Sequence, residues 1–292
     1  MPIDPTVALA DPASERAISW STDDVLHYHL ATGSGTDPLA PTELRFATEW
    51  NTVVLPSFGV VAPGLRQIEP PSLNRPGIDI DLHKILHGSQ RIAVHRPIPV
   101  SGEAVVGTRV SAIQDKGKSA VVDFETTATS PDGTPLWTST MGIFARGEGG
   151  FGGERGETLA VAMPDRAPDL EVDVPTLPQQ ALLYRLLGDR NPLHADPEAA
   201  RAVGFDRPIL HGLCTYAMVL RTIVRSVLDD EVAPIGEYTG LFTGIVLPGE
   251  TMGLKLWDTG IADDGLRHLI AAATVRDRDD APALSVDLAV TS

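Results

Sequence analysis

Two stretches of the chain alternate apolar and polar residues in the manner of β-strands. Residues 120–127 read AVVDFETT, and residues 269–275 read, less regularly, LIAAATV. A period of two is typical of a strand that buries one face. Short polar turns rich in Asp or Gly flank both stretches, at residues 115–117, 131–133, 263–265 and 279–281. The pattern predicts an antiparallel meander in each of these two regions.

A different pattern precedes the second meander. Residues 212–228 are suited to a helix, and residues 213–220 are apolar nearly all round, so this helix must be buried. The corresponding place in the first half of the chain is residues 55–63. Two prolines and a glycine there leave room only for a short or broken helix.

The two regions belong to an internal repeat. The Gly-Glu pair at Gly102 recurs 147 positions later at Gly249, and the turn glycine Gly117 recurs 148 positions later at Gly265. Both offsets are close to half of the 292 residues. A buried helix followed by a curled antiparallel sheet predicts an α+β fold in which the sheet wraps the helix. We therefore predict two similar halves, residues 1–146 and residues 161–292.

Residues 147–160 are predicted to join the halves. Six of the eleven residues at 146–156 are glycine, with no apolar periodicity, which indicates a flexible linker or a long loop. The alternative is a phosphate cradle. That reading needs a strand before the glycines and a helix starting at their end.

The composition is that of a globular protein, with 42% hydrophobic and 21% charged residues. The net charge of −16 opposes binding to nucleic acid or to an anionic membrane surface. An anionic small molecule remains possible, because a few arginines or a helix terminus can hold a phosphate locally.

The single cysteine, Cys214, has no partner for an intrachain disulfide, which suits a reducing compartment. The first 17 residues have no apolar segment typical of a signal peptide, and no apolar run approaches the ~20 residues of a membrane span. We expect a soluble, cytoplasmic protein.

One short segment concentrates polar side chains with chemical potential, since Asp189, Asn191 and His194 lie within six residues. A short apolar helix is predicted to end at Gly188, and Asp196 followed by a proline is a helix start. The three side chains therefore lie on the irregular connection between two helices. Each residue alone is most simply a turn former or a packed histidine. Their combination, with a His-Gly pair opening the buried helix downstream, favours a functional site.

The segment resembles the signature of the MaoC-like, hydratase 2 type (R)-specific enoyl-CoA hydratases. That signature is an aromatic residue, then Gly-Asp-x-Asn-Pro-aliphatic-His, and a small residue six positions on. The residues that match are Tyr184, Gly188, Asp189, Asn191, Pro192, Leu193, His194 and Ala200. Leu187 departs from it, because the family usually has a small residue before Gly-Asp.

The resemblance extends over the whole chain, through residues 85–90, 95–99 and 242–250. It implies a double hot-dog fold, two tandem antiparallel sheets each wrapped around a helix, with only the C-terminal half catalytic. The N-terminal half would accommodate the acyl chain. Tyr28 lies in a segment of the first half that is similar to the Tyr184 helix, but no Asp-x-Asn-Pro-x-His follows it.

The resemblance also implies roles for these residues. Asp189 and His194 would share the acid and base chemistry around one water, with Asn191 positioning that water. The Gly212 backbone N–H would stabilise the negative charge on the thioester oxygen. Independently, a carboxylate and an imidazole are readily tuned for proton transfer, and the N–H groups at a helix start favour negative charge. No metal, flavin or nicotinamide is expected, since coenzyme A belongs to the substrate, and the family is homodimeric.

Other residues have weaker claims. Tyr184 and His211 are candidates to line the substrate pocket, although packing is the simpler reading for His211. Arg96 and Arg207 are candidates to hold the coenzyme A phosphates, but each is equally suited to a solvated loop.

The spacing of His83 and His87 suits a metal pair on one helix face, yet no third ligand is identifiable. A structural role near the site entrance is favoured for these two histidines.

Two other functions stay open. A thioesterase on the same fold would direct water to the thioester carbon, and a non-catalytic acyl-CoA-binding or partner subunit would be expected to lack Asp189 or His194. A serine hydrolase is poorly supported, because the Gly-x-Ser-x-Gly elbow is missing. The acyl group is not fixed by the sequence, and both fatty acyl chains and sterol side chains are compatible with the resemblance.

Overall fold

One antiparallel sheet of ten strands dominates the computed structural model, which describes residues 3–80 and 84–291. The first half contributes β1 Ser14–Trp20, β2 Ile85–Val94, β3 Gly102–Asp115, β4 Ser119–Thr129 and β5 Pro135–Arg146. The second half contributes β6 Leu170–Pro175, β7 Ile235–Phe242, β8 Thr251–Ile261, β9 Arg267–Val275 and β10 Ala281–Val290. In space the order is β1-β3-β4-β5-β2-β7-β10-β9-β8-β6.

The strand order repeats in the two halves. Read outward from the central β2–β7 pair, the first half runs β2-β5-β4-β3-β1 and the second runs β7-β10-β9-β8-β6. Every neighbouring pair is antiparallel. The predicted strands at 120–127 and 269–275 lie within β4 and β9, and each half ends in the predicted meander. The α+β double hot-dog fold is confirmed.

Seven helices pack on or beside this sheet in the described part of the chain. They are α1 Pro5–Ala10, α2 Thr22–Ala31, α3 Pro41–Leu44, α4 Phe58–Val61, α5 Gln180–Tyr184, α6 Pro197–Ala202 and α7 Gly212–Val227. Short 3₁₀ turns follow at Ala62–Gly64, Arg185–Leu187, Pro192–His194 and Arg276–Arg278. None of the described helices is long and apolar enough to span a membrane.

The central helix of the second half is α7, as the sequence predicts. Its apolar residues are buried in the main core against strands of the second half. Two tyrosines fix it to β7. The Tyr216 hydroxyl donates to the Tyr238 carbonyl at 2.8 Å, and the Tyr238 hydroxyl donates to the Tyr216 carbonyl at 3.0 Å. Both rings are buried, so these bonds satisfy groups that water cannot reach.

The first half has only a fragment of such a helix. The four residues of α4 continue into the 3₁₀ turn Ala62–Gly64 and stop there, which confirms the predicted broken helix. Beyond this fragment an N-terminal cavity of about 750 Å³ remains over the sheet. It is lined by Val60 and Pro63, by residues of β1 to β5, by residues 11–13 and 72–76, and by Leu213 of α7.

The glycine-rich segment is a long loop that is anchored at its start. The Asp115 carboxylate accepts hydrogen bonds from the N–H groups of Gly117, Gly150 and Gly152 at 2.8, 2.9 and 2.8 Å. Such N–H groups, led by that of Gly150, lower the pKa of this carboxyl. An internal carboxylate thus occupies the amides that a cradle would offer to phosphate, and the next element is β6. The phosphate-cradle reading is therefore excluded, and the segment is not a free linker.

The halves contact each other closely beside α5. Glu43 of α3 is buried and accepts from Arg225 of α7 at 2.6 Å. Gly188 ends the turn after α5 with a φ of +117°. A Cβ on Gly188 would lie 1.8 Å from the carbonyl oxygen of Gly64, where the helix fragment of the first half ends. The segment that carries Asp189 therefore sits directly against the first half.

We predict that Gly188→Ala destabilises the protein more than Gly204→Ala. Both glycines have positive φ, but a Cβ on Gly204 meets nothing within 4 Å. The left-handed strain is common to both variants, so the difference isolates the contact with Gly64. Overpacking should cost about 1–3 kcal/mol beyond the control. Urea unfolding of both variants measures the difference, and equal losses would mean that the contact is not rigid.

Candidate active site

Three polar side chains converge between α5 and α7. A carboxylate oxygen of Asp189 and one ring nitrogen each of His194 and His211 all lie within 4.8 Å of one another. Asp189 follows the left-handed Gly188, His194 ends the 3₁₀ turn Pro192–His194, and His211 directly precedes α7. Both histidines are buried, whereas Asp189 is half-buried. The structure thus brings together residues that are separated by 22 positions in the sequence.

The turn that carries Asp189 and Asn191 is held by its own side chains. Asp189 Oδ1 accepts from the Asn191 N–H at 3.1 Å, and Asn191 Oδ1 accepts from the Leu193 N–H at 3.1 Å. The turn-forming role of these two residues is therefore real. It leaves the second carboxylate oxygen of Asp189 and the amide nitrogen of Asn191 outside these bonds. One residue pair can shape the loop and still present polar atoms to a ligand.

His194 is held in one tautomer. Its Nδ1 lies 2.9 Å from the Ile209 carbonyl oxygen, which can only accept, so Nδ1 carries the hydrogen and Nε2 keeps its lone pair. Burial lowers the pKa of His194, and the negative charge of Asp189 acts in the opposite direction. The imidazole is thus a neutral base whose protonated form would be stabilised by the neighbouring carboxylate.

His211 and Tyr184 add polar atoms that lack partners. The His211 ring stacks on His194 with 3.8 Å between centroids, and the Tyr184 ring lies 5.0 Å from His211. Neither nitrogen of His211 nor the Tyr184 hydroxyl makes a hydrogen bond of normal geometry with a described residue. Burial, and then the charge of His194, lowers the pKa of His211 well below its ordinary value. Unpartnered buried polar atoms are costly, so this grouping favours a polar ligand or water at the site.

The Gly212 N–H lies at the start of α7, directly after His211. The first hydrogen bonds of this helix are donated by Cys214 and Thr215 to the His211 carbonyl, which leaves the Gly212 N–H without an intrahelical acceptor. A Cβ on Gly212 would lie 3.1 Å from the Phe242 ring. Phe242 in turn packs on His87 with 4.7 Å between ring centroids.

Sequence reasoning undervalued His87 and missed Arg185. Burial lowers the pKa of His87 to about 4, and its Nε2 lacks a partner among the described residues. Its proposed metal partner, His83, lies outside the described residues. Arg185 has a buried Nε without a partner, and its charge helps to lower the pKa of His211. In the sequence, the only indication that Arg185 lies near the site is its position directly after Tyr184.

The two arginines predicted to hold phosphates are placed differently. Arg207 is exposed on the loop between α6 and α7, two residues before the Ile209 carbonyl that orients His194. Arg96 follows the opposite end of β2 from His87, where its charge acts on Asp132 in the β4–β5 turn. The structure does not bring Arg96 to the polar cluster, because most of the ten-residue strand β2 lies between them.

The cluster can carry out acid–base chemistry at one water molecule. Two hydrogen bonds of ~2.8 Å reach across a gap of this size through a single water. Asp189, His194 and His211 also form a donor set that could hold a metal ion. The helix N-terminus at Gly212 provides a donor for a developing oxyanion.

The sheet, the enclosed helix and this cluster define a double hot-dog protein with a polar cluster of acid–base residues in its second half. Residues 160–277 match the MaoC like domain, and residues 19–147 match the MFE-2 hydratase 2 N-terminal domain. The chain belongs to the MaoC-like, hydratase 2 family.

Whole-chain relatives agree with this assignment. The chain is 50% identical to "Enoyl-CoA hydratase ChsH3" of Mycobacterium tuberculosis over 98% of both proteins. It is 39% identical to "3-hydroxyacyl-thioester dehydratase Y" of the same organism over 89% of both. The crystal structure of a MaoC-like dehydratase from Phytophthora capsici superposes with a TM-score of 0.89 and 28% identity, covering 99% of this chain and 98% of that one.

We predict that the pKa of His194 lies below 6.5 and falls further in Asp189→Asn. Burial disfavours the imidazolium, and the substitution removes the carboxylate charge that favours it. His194 should therefore stay neutral as the pH falls below 6.5. NMR titration of the imidazole signals, assigned with a His194→Gln variant, measures this pKa. The control Asp263→Asn, on an exposed turn, should leave it unchanged, and a pKa that rises in Asp189→Asn would contradict the electrostatic assignment.

Proposed function

We propose that the protein catalyses the reversible hydration of trans-2-enoyl-CoA to (3R)-3-hydroxyacyl-CoA. The observation that carries this proposal is the approach of Asp189 and His194 to a separation that one water can bridge, beside the free N–H at the start of α7. The names of two relatives, enoyl-CoA hydratase at 50% identity and 3-hydroxyacyl-thioester dehydratase at 39%, support the same reaction.

The two acid–base groups act on one water. As the water oxygen bonds to C3 of the enoyl group, His194 Nε2 accepts its proton, because Nδ1 already carries a hydrogen. The Asp189 carboxylate holds the water and stabilises the imidazolium that forms. A proton returns from this pair to C2, so that one water is added in total and the enzyme groups are restored. Asn191 supports the geometry by fixing the turn between them.

The thioester oxygen becomes negative as C3 is attacked. The Gly212 N–H stabilises that charge, since it lies in the first turn of a sixteen-residue helix and has no intrahelical acceptor. Glycine has no Cβ, which at this position would lie 3.1 Å from the Phe242 ring. The substrate can therefore approach the backbone closely.

The acyl chain extends from this point into the N-terminal cavity. Leu213, the residue after Gly212, forms part of the cavity wall. A volume of about 750 Å³ is within the range of sites that hold drug-sized ligands, so chains much longer than four carbons fit. The broken helix of the first half is thus what makes room for the substrate. This assigns the catalytic role to residues 161–292 and the acyl-binding role to residues 1–146.

The protein works without a metal or redox cofactor, as a homodimer, in the cytoplasm. Hydration needs only proton transfer and an oxyanion donor, which the cluster supplies. The dimer rests on the family resemblance, and light scattering distinguishes it from the 31.1 kDa single chain. The buried, free Cys214 suits a reducing compartment.

The test is loss of the enoyl-thioester absorbance with trans-2-enoyl-CoAs from four carbons upward. Asp189→Asn and His194→Gln should each lower kcat/KM by about 10²- to 10⁴-fold, because each removes one acid–base group. Asp263→Asn is the matched control and should retain the wild-type rate. A chelator should not reduce activity, and an (R)-specific dehydrogenase should oxidise the product.

Three results would contradict the proposal. Release of free thiol would identify a thioesterase. Hydration that survives in both Asp189→Asn and His194→Gln would place the chemistry elsewhere. Loss of activity with a chelator, restored by added metal ion, would make the cluster a metal centre.

A further inference from the structure

The wall of the N-terminal cavity is more polar than a plain hydrocarbon chain requires. Four hydroxyl residues, one from each of four adjacent strands, line it: Ser14, Thr108, Thr126 and Ser139. They stand opposite one another across the sheet, since Ser14 pairs with Thr108, Thr108 with Thr126, and Thr126 with Ser139. We call these four residues the hydroxyl row.

The second half has no such row at the equivalent place. Ala273 stands 147 positions after Thr126 and pairs with Leu254 on one side and Leu284 on the other. All three are buried in the core that includes α7. A sheet face that only packs against apolar groups is therefore apolar in this fold. The hydroxyl row is a departure confined to the half whose helix is broken.

The hydroxyl row is not fully satisfied within the protein. Thr108 and Thr126 bond to each other through their Oγ1 atoms at 2.9 Å. The Ser139 side chain, however, has no hydrogen-bond partner in the described part of the chain, although the residue is only 7% exposed. Its Oγ is not fully buried, so the hydroxyl is open to the cavity that the residue lines. Its position in the cavity wall means that a bound molecule can supply that partner.

The two arginines at the cavity differ in their partners. The Arg75 guanidinium lies 2.7 Å from the Asp11 carboxylate, and Arg16 donates to the Pro63 carbonyl. The row offers neutral donors and acceptors, which suit a ketone or hydroxyl oxygen.

We propose that the preferred acyl group carries a ketone or hydroxyl oxygen, remote from the thioester, that hydrogen-bonds the hydroxyl row. This inference rests on the proposed hydratase function and specifies its substrate class. The thioester lies at Gly212, the chain passes Leu213, and the distal oxygen reaches Ser139 and Thr126. The apolar members of the wall, among them Val60, Phe124 and Met141, enclose the carbon skeleton between these points.

The test compares substrates that differ only in a distal oxygen. The probes are trans-2-enoyl-CoAs of eight, ten and twelve carbons, each as the plain chain, the terminal hydroxy form and the penultimate ketone. For at least one length, wild type should have a kcat/KM about 2- to 10-fold higher for an oxygenated chain than for the plain chain, as one neutral hydrogen bond supplies. Plain chains that are hydrated equally well or better at every length would overturn the inference while leaving the hydratase assignment intact.

Variants locate the effect in the hydroxyl row. Ser139→Ala and Thr126→Val remove hydroxyls while nearly preserving volume, so the preference should disappear and oxygenated and plain chains of one length should then have similar kcat/KM. Thr127→Val is the matched control, because Thr127 is the next residue of β4 and is exposed on the other face. It should keep the wild-type preference. An unchanged preference in Ser139→Ala and Thr126→Val, confirmed as folded by thermal unfolding, would place the recognition elsewhere. Failure to hydrate any chain, plain or oxygenated, would instead contradict the proposed function itself.

Discussion

The pairing of β2 with β7 is the constraint on which the rest of the structure depends. Residues 89–93 of the first half pair antiparallel with residues 237–241 of the second, and this single junction joins two five-stranded halves into one sheet. Its register places His87 of the first half against Phe242 of the second. Because Phe242 packs on Gly212, the same register sets the wall of the reaction centre beside the start of α7. A slip by one residue would turn the side chains of the slipped strand to the opposite face.

The two halves of the chain differ most in their central helices. In the second half, α7 fills the sheet with apolar side chains and presents a helix N-terminus to the cluster of Asp189, His194 and His211. In the first half, the helix stops after α4 and a 3₁₀ turn, and the vacated space is a cavity that opens beside Leu213. Close packing explains this difference, since a complete helix over the first half of the sheet would fill the space that the cavity occupies. The contact between Gly188 and Gly64 holds the two regions in a fixed relation.

The sequence was sufficient for the parts of the fold that depend on local pattern. Alternation located β4 and β9, the apolar run located α7, and two prolines with a glycine located the broken helix. Asp189, Asn191 and His194 were found because they fall within six residues and shape one turn. The resemblance to a known family added their roles and the oxyanion donor at Gly212.

The remaining features depend on contacts that are distant in sequence. The stacking of His194 on His211 and the approach of His87 to Phe242 follow from how the chain returns to itself, which periodicity does not encode. Arg96 was grouped with the site because its motif borders it. It follows the end of β2 opposite to His87, and its contact with a coenzyme A phosphate stays a prediction. The hydroxyl row is visible only once the strand registers align Thr108, Thr126 and Ser139. The anchoring of the glycine-rich segment likewise depends on a distant residue, because the Asp115 carboxylate accepts hydrogen bonds from the N–H groups of Gly150 and Gly152.

The central claim is that one substrate spans both halves, with its thioester at α7 and its acyl group in the N-terminal cavity. A crystal structure of the Asp189→Asn variant with a bound ten-carbon trans-2-enoyl-CoA tests this most directly. The account predicts the thioester oxygen within hydrogen-bond distance of the Gly212 N–H and the acyl chain passing Leu213 into the cavity. An acyl chain lying outside that cavity, or a thioester oxygen held by other groups, would contradict it.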